Sequence, residues 1–168
     1  IRLQPNQEYE VFMTPIYHLA VLGSPTEEQI TDLEEAVGNA VAMFGLRLGK
    51  DVSWEIVPET FNPGQQCSSA VVFFGGSGAD HASLPSLLRR GVPVIPVVSD
   101  LRRVGTDIPV LLQSLNCLSY ADGGVKRVTT ALLECAGLLP KQRRVFVSYR
   151  RDEAKVAALQ MFDALSSR

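Results

Sequence analysis

The chain has 168 residues, 46% of them hydrophobic, with 16 Lys and Arg against 18 Asp and Glu and a formal net charge of −2. That apolar content can bury the core of one ordinary α/β domain plus a fragment, and the near-balanced charge provides no global field for nucleic acid or an anionic membrane surface. No apolar run approaches the roughly 18–20 residues that cross a bilayer and no signal peptide is visible, and three cysteines read as reduced thiols fit an expected cytoplasmic protein.

The chain opens on Ile1 without an initiator Met and is read as a piece of a longer protein. Residues 1–17 are mixed and polar and form a leader. The first strand is His18-Leu19-Ala20-Val21-Leu22, closed by Gly23. Ser24-Pro25-Thr26-Glu27 then reads as a helix start, with Ser24 as cap, Pro25 in the first helical position and Glu27 three residues after the cap. Ile30, Leu33, Val37, Val41 and Phe44, spaced three and four apart, predict its buried face, and Gly45 and Gly49 end it.

Between Val52 and Val57, apolar Val52, Trp54 and Ile56 alternate with Ser53 and Glu55, which predicts a strand with one wet face near a sheet edge, stopped by Pro58. The continuously apolar Ala70-Val71-Val72-Phe73-Phe74 predicts a central parallel strand. Gly75-Gly76-Ser77-Gly78 follows, then a short helix bearing Leu84, Leu87 and Leu88 and ending at Gly91. The next strand, Val92 to Val98, contains Pro93 and Pro96 and must tolerate gaps in its hydrogen-bond ladder. Asp107 to Leu115 reads as a helical turn, Cys117 to Tyr120 as a short strand, and Val125 to Leu139 as a final helix with Val128, Leu132, Ala136 and Leu139 inward. Strands alternating with helices over residues 18–139 predict a flavodoxin-like or Rossmann-like doubly wound parallel sheet of about five strands with helices on both faces.

In such a sheet, ligands bind at the carboxyl ends of the strands. The candidate ligand-binding residues are therefore Gly23 and Ser24 after the first strand and Gly75, Gly76 and Ser77 after the central one. Glycine allows close backbone approach and positive φ, so these turns can either cradle a phosphate or simply be tight turns. No Gly-Lys-Ser/Thr and no G-x-G-x-x-G accompanies them. Asp80, His81, Ser77 and Ser83 supply the residue types of a hydrolytic triad, but neighbours on one loop lack its triangular geometry, and Gly-x-Ser-x-Gly is absent. The acids and histidines show no metal-ligand spacing, and Cys67, Cys117 and Cys135, odd in number, are read as reduced, mostly buried thiols. Trp54 and Phe61 are read as packing residues before base-stacking ones. The basic clusters Arg89-Arg90, Arg102-Arg103 and Lys141 to Arg144 are read as solvated helix ends and loops.

Beyond Pro140, Val145-Phe146-Val147 has the composition of a buried strand, Asp152 can cap a helix, and Val156, Leu159, Phe162 and Leu165 form an apolar stripe. The segment F-V-S-Y-R-R-D-E with this helix resembles the opening box of bacterial TIR (Toll/interleukin-1 receptor) domains, over about the last 25 residues. The resemblance implies that Phe146 is buried, that Ser148, Tyr149 and Arg150 border a nucleotide pocket and that Asp152 starts the helix. The family's catalytic Glu would lie beyond Arg168. Residues 69–74, 87–97 and 108–116 also resemble later TIR segments in order, with Ser83 standing where, counted back from Gly91, the family carries its Glu. Gly75 to Gly78 with Gly91 to Pro96 also resembles SLOG-type Rossmann-like sensor domains, which bind nucleotide-derived signals.

Together these imply a noncatalytic sensor, regulatory or self-association domain (18–139) ahead of a TIR domain whose first strand and helix lie in residues 140–168. In the intact protein it would control NAD hydrolysis in bacterial signalling or immunity. It would need no cofactor of its own, although NAD or a nucleotide-derived signal is a possible ligand, and its partners would be further copies or TIR-type proteins. The alternative is a single-domain nucleotide-binding or hydrolytic enzyme using the Gly23 and Gly75 turns, with Val145 to Tyr149 as an extra strand.

Overall fold

The computed structural model describes residues 15–121 and 123–139. The chain forms β1 (Tyr17–Gly23), α1 (Glu27–Ala42), β2 (Val52–Ile56), β3 (Ser68–Phe74), α2 (Leu84–Arg89), β4 (Val94–Val98), α3 (Val104–Asp107), β5 (Leu118–Ser119) and α4 (Gly124–Cys135). Short 3-10 turns at Leu101–Arg103 and Val110–Leu112 flank α3. The sheet is parallel throughout in the order β2-β1-β3-β4-β5, which is the expected doubly wound flavodoxin-like architecture.

Alternate strand residues feed two cores. Leu19, Val21, Val72 and Val97 pack with Leu33, Val37 and Val41 of α1 and Val128, Leu132 and Leu133 of α4. On the other face, Ala20, Leu22, Val71, Phe73 and Val98 pack with Leu84 and Leu87 of α2, with Phe61, and with Ile108 and Leu112. β3 lies at the centre, and every residue from Ser69 to Phe74 is buried. β2 is an edge strand, as its alternation predicts.

Several boundaries differ from the sequence reading. The cap of α1 is Thr26, not Ser24, and Pro25 lies outside the helix. Thr26 has extended backbone, its hydroxyl accepts from Gln29 N at 3.2 Å, and the Gln29 side chain accepts from Thr26 N at 2.9 Å. This reciprocal box satisfies two otherwise orphaned N–H groups and so outcompetes a start at Ser24, whose own N–H donates to Phe74 O at 2.9 Å. Phe44 falls beyond the end of α1 and is 51% exposed, not inward. The helical turns between β4 and β5 begin at Leu101, earlier than Asp107. α4 ends at Cys135, and Gly137 carries the positive φ of a helix stop. The cysteines are half-buried rather than mostly buried.

Pro96 lies inside β4, opposite Phe73. Val97 O accepts from Gly75 N on the β3 side, so the neighbouring Pro96 faces the β5 side, where pairing starts only at Val97 and Leu118. Its missing donor therefore breaks no rung of the ladder. No helix forms between β2 and β3; residues 57–67 cross as a loop anchored by Phe61, 2% exposed. Among the described residues no helix is long and apolar enough to cross a membrane. The readings on Pro140 to Arg168 and on most of the leader fall outside the described residues.

Candidate ligand-binding crevice

The strand order reverses between β1 and β3, so the crevice expected to receive a ligand opens beyond Gly23 and Phe74. The structure brings four of the five predicted residues together there. A Cβ on Gly23, whose φ is +84°, would lie 2.1 Å from Phe74 O, and one on Gly76 would lie 3.0 Å from Ser24 Cβ. A Cβ on Gly75 would meet Ile108 Cδ1 at 2.8 Å and Asp107 O at 2.9 Å. Ser77, the fifth, is exposed at the rim.

Three of the N–H groups in these turns are committed to the chain itself. Ser24 N donates to Phe74 O, Gly75 N to Val97 O at 2.8 Å and Gly76 N to Asp107 O at 2.9 Å. The first turn of α1 carries Glu27 and Glu28, whose charge opposes an anion at that helix end. The glycines thus let the β4–β5 connection close against the turn, and the local arrangement disfavours a phosphate. Asp107 and Ile108, which close the crevice, carry no sequence signal for that role.

Beside the crevice, the loop after β2 is clasped to the start of α2. Val57, a β-branched residue at φ +40°, donates its N–H to Val21 O at 2.8 Å, a conformation that costs about 1–2 kcal/mol. His81 Nε2 lies 2.7 Å from Pro58 O, and His81 Nδ1 accepts from Ser83 N at 3.2 Å. A carbonyl can only accept, so Nε2 is the donating ring nitrogen while Nδ1 accepts. Ser83 Oγ accepts from Phe61 N at 2.8 Å and is buried. Asp80 Oδ1 accepts from the backbone N of His81 at 2.7 Å, not from its ring. The three residue types of a hydrolytic triad are present, but each holds backbone, and no Ser–His–Asp relay forms among them.

No family model, curated protein or solved structure matches this chain.

Two shifted groups lie near β5. Burial pushes the Cys117 thiol above its ordinary range. Burial, then the Asp32 and Glu28 carboxylates, push the Tyr120 hydroxyl up; its ring packs edge-on to Phe74 with centroids 5.8 Å apart. The Trp54 ring packs against the α1–α4 core and Phe61 sits in the opposite one, so both are packing residues, as expected. Among the described residues no group of three or more His, Cys, Asp or Glu is placed to hold a metal ion.

Two cavities lie away from the carboxyl-end turns. One of about 510 Å³ runs beside α4 and β5, past Leu118, Lys126 and Arg127. The other, of about 500 Å³, opens at the amino ends of β3 and β4 and is lined by Cys67, Arg90, Pro93 and Cys135 among others.

Proposed function

We propose that residues 18–139 are a noncatalytic sensor, regulatory or self-association domain of a TIR-containing signalling or immune protein, controlling NAD hydrolysis by the TIR domain of the intact molecule. The observation that carries this reading is the commitment of Ser83. It occupies the place where the resemblance puts a catalytic Glu, and its hydroxyl is bound to the buried Phe61 N–H. An alcohol held there cannot stabilise an oxocarbenium-like centre as a carboxylate does. His81 is likewise fixed by Pro58 O and Ser83 N.

The sheet topology supports a separate unit after residue 139. α2 and the β4–β5 turns cover one face while the sheet steps from β3 to β5, and α4 returns to the opposite face beside α1. A further parallel strand beside β5 after a helix on that face would need a left-handed crossover, which folds almost never use. This weighs against the alternative of an extra strand added beside β5. The single-domain enzyme alternative has less support, because Ser24, Gly75 and Gly76 of those turns donate their N–H groups to neighbouring carbonyls.

The test compares NAD turnover by this chain and by the natural polypeptide that contains it, followed as nicotinamide release. Turnover confined to the longer protein is expected; nicotinamide release by residues 1–168 would overturn the noncatalytic assignment.

A further inference from the structure

The cavity at the amino ends of β3 and β4 has the size of a small-ligand site, and its wall carries a cation without a counter-charge among the described residues. Its lining includes Gly64, Gln65, Cys67, Arg90, Gly91 and Pro93, and no Asp or Glu. Arg90 donates from one terminal nitrogen to Asn62 Oδ1 at 2.6 Å and from the other to Pro63 O. Both acceptors are neutral, so the guanidinium charge is uncompensated by any described carboxylate. Two of its five N–H groups are used in these bonds, and the loop acceptors fix the orientation of the rest.

Several other polar groups of the wall are satisfied internally. Ser68 Oγ donates to Ala136 O at 2.6 Å, Ser69 Oγ to Cys67 O at 3.3 Å, and Gly91 N and Val92 N to Leu88 O and Leu87 O. What the cavity offers a ligand thus includes one preoriented guanidinium and the Gln65 amide, in a described wall without other charged side chains.

We propose that this cavity binds the carboxylate or phosphate group of a small anionic metabolite through Arg90, placing the ligand site at the end of the sheet opposite the closed crevice. The wall is also where the chain enters and leaves the domain. Ser68 N donates to Ile16 O at 2.8 Å, Cys67 Sγ lies 3.8 Å from Pro15 O, and Ser68 Oγ holds Ala136 just after α4. An occupant displacing Cys67 and Ser68 acts directly on both flanking connections. The anion site stands on the cavity itself and depends on the regulatory reading only for what occupancy controls.

The experiment is an amide chemical-shift titration of the full 168-residue chain with inorganic phosphate, with succinate and, as a neutral control, with glycerol. Saturable shifts at Gly64, Gln65 and Gly91 with phosphate or succinate but not glycerol are expected, and the two anions distinguish a phosphate from a carboxylate ligand. Arg90→Gln should weaken binding about tenfold or more, as expected for loss of a charge-assisted bond. Because that change also loosens the loop, Gln65→Glu provides a second variant. It breaks no described hydrogen bond, and its negative charge at the rim should also weaken binding.

The proposal fails if no saturable shift appears, if glycerol matches the anions, or if neither variant changes the affinity. It fails too if the shifts map instead to Gly23, Ser24 and Gly75 to Ser77. None of these outcomes bears on NAD turnover by the longer protein, so the two readings fail separately.

Discussion

Replacing Ser83 with Ala separates a structural hydroxyl from a reactive one. Ser83 is 9% exposed and its hydroxyl accepts the Phe61 N–H at 2.8 Å, while Phe61 is 2% exposed in the core with β3 and α2 residues. Removing the oxygen leaves a buried N–H without an acceptor, which costs about 1–3 kcal/mol. A domain of this size converts that to a fall in melting midpoint of roughly 4–12 °C. Urea denaturation gives the free energy, and hydrogen exchange gives the location: the Phe61 amide should lose protection while Val71 and Val72 in β3 keep theirs. The loop remains tethered by Arg90 to Asn62 and Pro63, so a native-like fold is expected. Unchanged stability with an unchanged Phe61 exchange rate would refute the clasp.

Gly23→Ala should prevent folding, because a Cβ there would stand 2.1 Å from Phe74 O at a φ of +84°; a soluble variant with native circular dichroism would contradict the close approach of β1 and β3. Thr129 is 6% exposed and its hydroxyl has no hydrogen-bond partner among the described residues, so Thr129→Val should stabilise by about 0.5–2 kcal/mol, read as a higher urea midpoint at unchanged m-value. Stability should also fall in alkali. The Cys117 and Tyr120 values are raised in the folded state, so the unfolded chain loses these protons first as pH passes the ordinary thiol and phenol ranges, roughly 8.5 and 10. Folding free energies measured from pH 7 to 11 should decline across that window, and Cys117→Ala should flatten its lower part; a flat profile in the parent would argue against burial of both groups.

Local periodicity by itself determined the alternation of strands and helices, the placement of β3 at the centre and β2 at an edge, and the inward faces of α1 and α4. Each of these follows from whether one or both faces of a segment meet apolar neighbours, and that requirement is written in the residues two, three and four positions apart. The candidate crevice was legible only as far as its glycines. That Gly76 meets Asp107 O, that Ser83 holds Phe61 and that His81 holds Pro58 joins residues 22 to 31 positions apart through connections whose path depends on strand order, and neither composition nor spacing encodes that path. The same holds for Arg90, an ordinary basic residue at a helix end until the loop after β2 folds back onto it. Tertiary structure alone decided which end of the sheet is closed by the protein's own backbone and which end keeps a charged cavity open, because backbone N–H groups take whichever carbonyl the packed fold brings within reach.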